Sequence, residues 1–347
     1  MNTGYRYKLE KGSKKYFCPE CNKKTFVRYI DVETGDYLPE QYGRCDRESK
    51  CNYHLNPYKD SYSKMIWEQE QGNRSEYPTS WKPPQKKIAP QVDPIFFDFD
   101  TFLTTLEANR YDDNIFLQNL LESVQYPFDI NEVADVVRLY KLGTVANGYR
   151  SGSITFPFID KKFNVRAIQV KQFDKDNHTI GTDFLHSIIE RFYNENNKPL
   201  PEWLEAYTKQ DKKVSCLFGE HLLSKYPSAK IYLFEAPKTA IYSTLYFGLP
   251  DTSNTICLAV YNKSSLSFDK LEVLQGRTVY VFPDLSKNGS TYKEWEAKVK
   301  EYELKMNRTR FVFSDLLERL APEQDKSEGN DFADYLIKQD WREFRTY

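Results

Sequence analysis

Apolar residues come in short dense runs through the last third of the chain. KIYLFEA, TICLAV, TVYVFPD and TRFVFSD have strand length and are rich in β-branched and aromatic residues. Between them lie KTAIYSTLYFG, SSLSFDKLEVLQ and TYKEWEAKVKEYELKM, with helical spacing, and a closing helix is predicted around FADYLIKQDW. Strands that are apolar on both faces and alternate with helices predict a parallel sheet covered on both sides. Ligands of such sheets bind beyond the carboxyl ends of the strands. Glu235 closes the first of these strands and Asp284 the third.

The pattern is different upstream. From FFDFDTFLTTLEANRYDDNIFLQNLLESV to Leu142, apolar positions recur at helical spacing and predict two or three helices. SITFPFID and FNVRAIQVKQFD then read as paired strands around the turn Asp160-Lys161-Lys162. TDFLHSIIERFYN reads as a helix, and a polar loop leads to CLFGEHLLSKYP. Residues 63–94 are polar and proline-rich without a sustained period, as in a linker or extended arm. At the head of the chain, KTFVRYIDVETGDYLPEQYGRC alternates as a β-hairpin about Glu33-Thr34-Gly35-Asp36. The fold class is α+β and multidomain: a β-ribbon over 1–62, the linker over 63–94, a mixed α+β subdomain over 95–228 and an α/β domain over 229–347.

Four of the six cysteines frame that hairpin. Cys18-Pro-Glu-Cys21 is a C-x2-C knuckle, and Cys45 and Cys51 form a looser second pair at the hairpin's far end. Four thiolates brought together in this way suit tetrahedral structural zinc, which would supply folding energy that so small a module lacks. His54 is an alternative ligand should one cysteine go unused. A redox pair is the competing reading of Cys18 and Cys21, but such motifs open a helix after a strand, and none is predicted there. Cys216 and Cys257 sit in apolar strings, and His186 and His221 on apolar periodic segments; all four read as structural residues.

Charge adds little at the scale of the whole chain of 347 residues, with 49 Lys and Arg against 50 Asp and Glu. Any nucleic-acid surface must therefore be local. Residues 1–64 hold 13 basic against 9 acidic residues, and Arg28 and Arg44 interleave there with tyrosines and phenylalanines. Cations beside exposed aromatics suit single-stranded nucleic acid, and equally a solvated face around a zinc-held core. The sequence has no apolar run long enough to span a bilayer and no signal-peptide h-region, so a cytoplasmic protein is expected.

Glu235 and Asp284 at strand ends could share Mg2+ or Mn2+, with Asp331 and Asp334 of GNDFADYL as further ligands. Acids after strands also cap helices, so capping is the competing reading. Lys238, at the start of the helix after Glu235, is placed to meet phosphate.

Together, FCPEC…GRCDRESKCNYHLNP, SITFPFIDKKFNVRAIQVKQFD, CLFGEHLL, YLFEAPKTAIYSTLYFG, VYVFPDLSKNGSTYKEW and GNDFADYLI resemble bacterial-type toprim primases. They are more closely similar to primase-like proteins of Bacteroidetes mobile elements and phages. The resemblance implies a zinc ribbon that samples single-stranded DNA and a C-terminal toprim-like α/β domain that binds Mg2+ and nucleoside triphosphates. It also implies a setting in DNA replication, where a replicative helicase is a candidate partner. It places Glu235 as acid/base or metal ligand and Asp284 as a metal ligand. It places Arg150, Arg166 and Lys171 toward template or nucleotide phosphates, against surface charge as the alternative. The toprim Asp-x-Asp reads Asp284-Leu285-Ser286 here, so the second acid is missing. A primer-synthesising enzyme, a DNA-binding adaptor with a degenerate toprim domain, and a toprim nuclease all remain open.

Overall fold

A computed structural model describes residues 5–12, 14–47, 51–71, 94–210 and 214–345. The chain divides into two compact units, Met1–Val92 and Asp93–Tyr347.

In the first unit, β1 (Tyr7–Leu9), β2 (Tyr16–Phe17), β3 (Lys24–Asp31), β4 (Gly43–Cys45) and β5 (His54–Leu55) form one antiparallel sheet. The expected hairpin is β3–β4, with Phe26 opposite Cys45 and Arg28 opposite Gly43. Gly43 is required there, because a Cβ would lie 2.3 Å from the Val27 carbonyl oxygen and from the Phe26 ring. The apolar content is small: Tyr7, Tyr29, Leu38 and Tyr42 form one cluster, and Phe26 with Cys18 and Cys45 another.

The predicted linker does not begin at 63. Tyr62–Gln71 is a helix, tied back by Tyr62 packing on Tyr42 with ring centroids 4.7 Å apart and by an Arg6–Glu70 ion pair of 2.8 Å. Residues 72–93, the rest of that expectation, lie outside the described residues.

The second unit holds two sheets. β6 (Gly143–Thr144), β7 (Ile154–Ile159), β8 (Val165–Phe173) and β9 (Thr179–Phe184) are antiparallel in that order. β10 (Lys230–Phe234), β11 (Thr255–Ala259), β12 (Thr278–Phe282) and β13 (Arg310–Phe313) are parallel, in the order β11-β10-β12-β13. The parallel sheet read from the apolar runs is therefore present. Phe218 pairs with Ala259 as an antiparallel bridge, covering part of the β11 edge.

One hydrophobic cluster runs through this unit, joining Phe116, Tyr140, Phe156 and Phe218 to Ile231, Tyr242, Trp295 and Phe332. The packing is thus continuous across residues 228–229. The helix Pro237–Phe247 is central to it, with Pro237 pre-set for the first turn and every side chain through Tyr246 buried. Tyr140 closes the helix Ile130–Tyr140 against it: its hydroxyl donates to the Cys257 carbonyl (2.9 Å) and lies 2.8 Å from Thr244 Oγ1. Tyr140→Phe is expected to cost about 1–2 kcal/mol, seen as a lower urea midpoint at unchanged slope.

Two elements differ from the periodicity. SSLSFDKLEVLQ is broken into Lys263–Ser265, Phe268–Leu271 and Glu272–Leu274. Extended backbone at Asn262, with its reciprocal cap to Ser265, and again at Ser267 interrupts the helix, while Leu266, Leu271 and Leu274 still reach the core. Thr182–Phe184 belongs to β9 and pairs with Gln169–Lys171, so the following helix begins at Leu185. No helix of the described residues is long and apolar enough to cross a membrane.

Candidate functional site

The cysteine centre is built from two knuckles. The Cys18 N–H donates to the Lys23 carbonyl (2.9 Å) and the Asn22 N–H to the Cys18 carbonyl (2.9 Å). The Cys45 N–H meets the Tyr53 carbonyl (2.9 Å) and the Cys51 N–H the Arg47 carbonyl (2.8 Å). Each pair is followed by an asparagine in the left-handed region, Asn22 at φ 50° and Asn52 at φ 57°. The longer second spacing therefore ends in the same local turn as the first.

All four sulfurs lie within 4.8 Å of one another, with Cys18–Cys51 at 3.6 Å and Cys21–Cys45 at 3.9 Å. Thiolates about 2.3 Å from a shared tetrahedral Zn2+ are about 3.8 Å apart, so the donor set fits that ion. His54 lies elsewhere, stacked on Tyr29 with Nε2 3.1 Å from its hydroxyl.

On the same unit, Arg28 donates to the Leu38 carbonyl (2.7 Å) and lies over the rings of Tyr16 and Tyr37 at 5.5 and 4.8 Å. Lys14 lies over the same two rings, and Phe17 beside Tyr16 is exposed. Arg44 is on β4, opposite Val27.

In the second unit, Glu235 follows β10 and Asp284 follows β12, neighbours in the parallel sheet. Both line a cleft of about 380 Å³ with Lys171, Lys238 and Asp331. β8 and β9 of the antiparallel sheet supply the facing wall through Gln169, Lys171 and Thr182. Asp284 Oδ1 is sealed from solvent with no hydrogen-bond partner among the described residues. Burial, then the charges of Glu235 and Asp331, push the Asp284 carboxyl well above the usual carboxylate range. Confinement in the cleft and the neighbouring Lys238 hold Lys171 below the usual lysine range. An orphaned oxygen in an acid-rich pocket at strand ends fits a hard divalent cation, which would relieve both conditions.

Asp334 is not among the cleft-lining residues; it pairs with Lys238. The Lys238 ammonium sits 2.9 Å from Asp334 Oδ1 and 3.2 Å from Asp331 Oδ2. Burial works against its charge, but Asp331 and Asp334 hold it well above the usual lysine range. Among the described residues, the cysteines are the one cluster of three or more metal-type ligands. Glu235, Asp284 and Asp331 line one cleft without forming such a cluster.

Ser286 is fully buried and turned away, its Oγ accepting the Thr291 N–H (2.8 Å) at the start of the helix Ser290–Glu303. The position that could have held a second aspartate is thus a helix cap. Arg150 and Arg166 are engaged by the protein itself. Arg150 Nε meets Asp183 (2.7 Å) and its Nη1 meets Gln172 (2.6 Å). Arg166 Nε meets Asp160 (2.8 Å) and lies over Phe96. His221, Cys216 and Cys257 are buried in the core, with His221 Nε2 3.0 Å from the Leu139 carbonyl; His186 is buried against Tyr207.

Gln169 was not anticipated. It is 2% exposed with Oε1 unpartnered among the described residues. An amide set between the apolar residues Ile168 and Val170 was the available signal.

Comparisons agree on the first unit: a family model for a zinc beta-ribbon finger matches residues 5–65. With the four-sulfur geometry, this makes the centre a structural zinc site. A second family model, a domain of unknown function (DUF6371), matches residues 114–285. No curated protein matches. Among solved structures, the chain is similar to the primase fragment of the bacteriophage T7 primase-helicase protein, at 12% identity and TM-score 0.34 over 91% of this chain and 93% of that one. It is also similar to the Aquifex aeolicus primase (zinc-binding and RNA polymerase domains), at 13% identity and TM-score 0.34 over 95% and 80%. The DnaG primase catalytic domain bound to ssDNA matches at 13% and TM-score 0.33 over 68% and 84%.

Proposed function

We propose that the protein is a Mg2+- or Mn2+-dependent nucleotidyltransferase of the primase type, building primers from nucleoside triphosphates on single-stranded DNA. One observation carries this reading: Glu235 and Asp284, at the carboxyl ends of adjacent parallel strands, open with Lys171 into a single cleft in which an Asp284 oxygen has no partner among the described residues. A divalent cation held by Glu235 and Asp284 would supply charge to the phosphate oxygens. Lys171, from the opposite wall, would bind and orient the triphosphate, and the cleft would exclude water. The zinc ribbon, with Lys14, Arg28 and their tyrosines, would hold the template strand. Cytoplasmic replication of a phage or mobile element, beside a helicase, is the setting that suits this chemistry.

A second reading, a DNA-binding adaptor without catalysis, draws support from Ser286 as a helix cap and from Lys238 tied to Asp331 and Asp334. Incubating the protein with single-stranded templates, labelled triphosphates and Mg2+ or Mn2+ separates the two. Template-dependent oligonucleotides support the enzyme. Retained DNA binding without product supports the adaptor, and cleavage of the template without triphosphates points to a nuclease. In the enzyme, Lys171→Met is expected to raise the KM for triphosphate about 10-fold or more with a smaller change in kcat, since hydrogen bonds to charged groups are worth about 1.5–3 kcal/mol.

A further inference from the structure

We infer that Lys238 is a built-in cation standing where a second metal ion would otherwise sit, so that this cleft takes one divalent cation only. The inference rests on the reading above that the cleft binds metal, and it adds how many ions are bound and which acids hold them.

Asp331 and Asp334 are already engaged by the fold. Asp331 Oδ1 accepts the Asp334 N–H (3.0 Å), and Asp334 Oδ2 accepts the Asp331 N–H (2.9 Å). The remaining oxygen of each lies on Lys238 Nζ, at 3.2 and 2.9 Å. All four carboxylate oxygens therefore have a partner supplied by the fold. Lys238 is 8% exposed and Asp331 8%, so their ion pair is held away from water, while Asp334 closes the pair from a half-buried position. Asp284 is the contrast, with a sealed oxygen that nothing in the described protein satisfies.

Charge points the same way. Glu235, Asp284, Asp331 and Asp334 against Lys171 and Lys238 leave two negative charges when all are ionised. One divalent ion closes that balance, and a second would bring excess positive charge before any phosphate arrived. Ser286 contributes no charge, its hydroxyl being committed to Thr291. Asp331 and Asp334 thus do not stand in for the missing aspartate. They hold an ammonium group in place of a metal, and Glu235 with Asp284 is left to hold the one ion.

The test is Mn2+ binding to the full, zinc-loaded chain, by calorimetry and by the electron paramagnetic resonance signal of free Mn2+, with DNA and triphosphate left out because both bind Mn2+ themselves. The expected result is one Mn2+ per wild-type chain. Asp331→Asn, which keeps the cap and the shape, should leave the stoichiometry at one and weaken affinity only a few-fold, as for a lost neighbouring charge rather than a lost ligand. Lys238→Met should admit a second Mn2+, and Lys238→Met/Asp331→Asn should return to one. Two ions in the wild type, a loss of about tenfold or more in Asp331→Asn, or a folded Lys238→Met that still binds one would each overturn the inference while leaving the cleft a metal site. No Mn2+ in either wild type or Lys238→Met would sink the metal-site reading itself, and this inference with it. Should Lys238→Met fail to fold for want of its buried charge, Asp331→Asn alone decides.

Discussion

Glu235→Gln is expected to abolish template-dependent synthesis, with a loss of about 10²–10⁴-fold or more, while zinc content and fold stay as in the wild type. The substitution is isosteric and removes only the negative charge. Glu235 is 7% exposed and directly follows β10, whose pairing with β11 and β12 is made by backbone groups that the change leaves alone. An amide oxygen is a far weaker ligand for Mg2+ than a carboxylate and takes no proton, so either role assigned to Glu235 is lost. Gel-resolved primer synthesis and metal analysis on the same preparation check the expectation. Wild-type-like synthesis would remove Glu235 from the mechanism. Asp284→Asn should match the loss of activity with a raised melting temperature, because it replaces a carboxyl whose ionisation burial and the neighbouring acids oppose, and whose Oδ1 has no partner among the described residues.

The strand-end acids were legible because a parallel sheet reports itself in sequence. TICLA is buried throughout and KIYLF and TVYVF are buried or half-buried past their first residue, so all three read as apolar runs, and the acids that follow the first and third mark the sheet's carboxyl edge. The cysteine centre was legible for a similar reason, since its chemistry demands particular residue types at near-fixed spacing.

What the pattern hid was partnership between distant residues. Lys238 meets Asp334 across 96 positions of chain, and Arg150 meets Asp183 across 33. A basic residue looks the same in sequence whether it awaits a phosphate or already holds a carboxylate. Ser286 shows the same limit: its absence of charge was readable, but its service as the cap to Thr291 depends on the turn that follows β12. The broken helix after β11 is a matter of scale, because local caps at Asn262 and Ser267 outweigh an apolar spacing that tertiary packing satisfies piecewise.

Removing zinc is expected to unfold the first unit and leave the second standing. The first unit's apolar clusters are a few tyrosines and a leucine beside Phe26. A core of that size rarely supplies more than about 3–5 kcal/mol, whereas structural zinc contributes on the order of 10–16 kcal/mol near neutral pH. The second unit has its own large core. Thiol counting makes the expectation quantitative, since all six cysteines are free of disulfides. With zinc bound, a thiol reagent should find almost none of them. After chelation, Cys18, Cys21, Cys45 and Cys51 should react, while Cys216 and Cys257 wait for denaturant. Those two are 3% and 2% exposed, and burial pushes the Cys257 thiol up to about 12 and Cys216 upward as well, so almost no reactive thiolate is present at pH 8. Acid should mimic the chelator, because protons compete with zinc for the four sulfurs and affinity falls as pH falls. Limited proteolysis should then cut the first unit and spare the second. Six thiols reacting together on chelation would show that the units share one folding transition, and none reacting would show that the sulfurs hold no zinc.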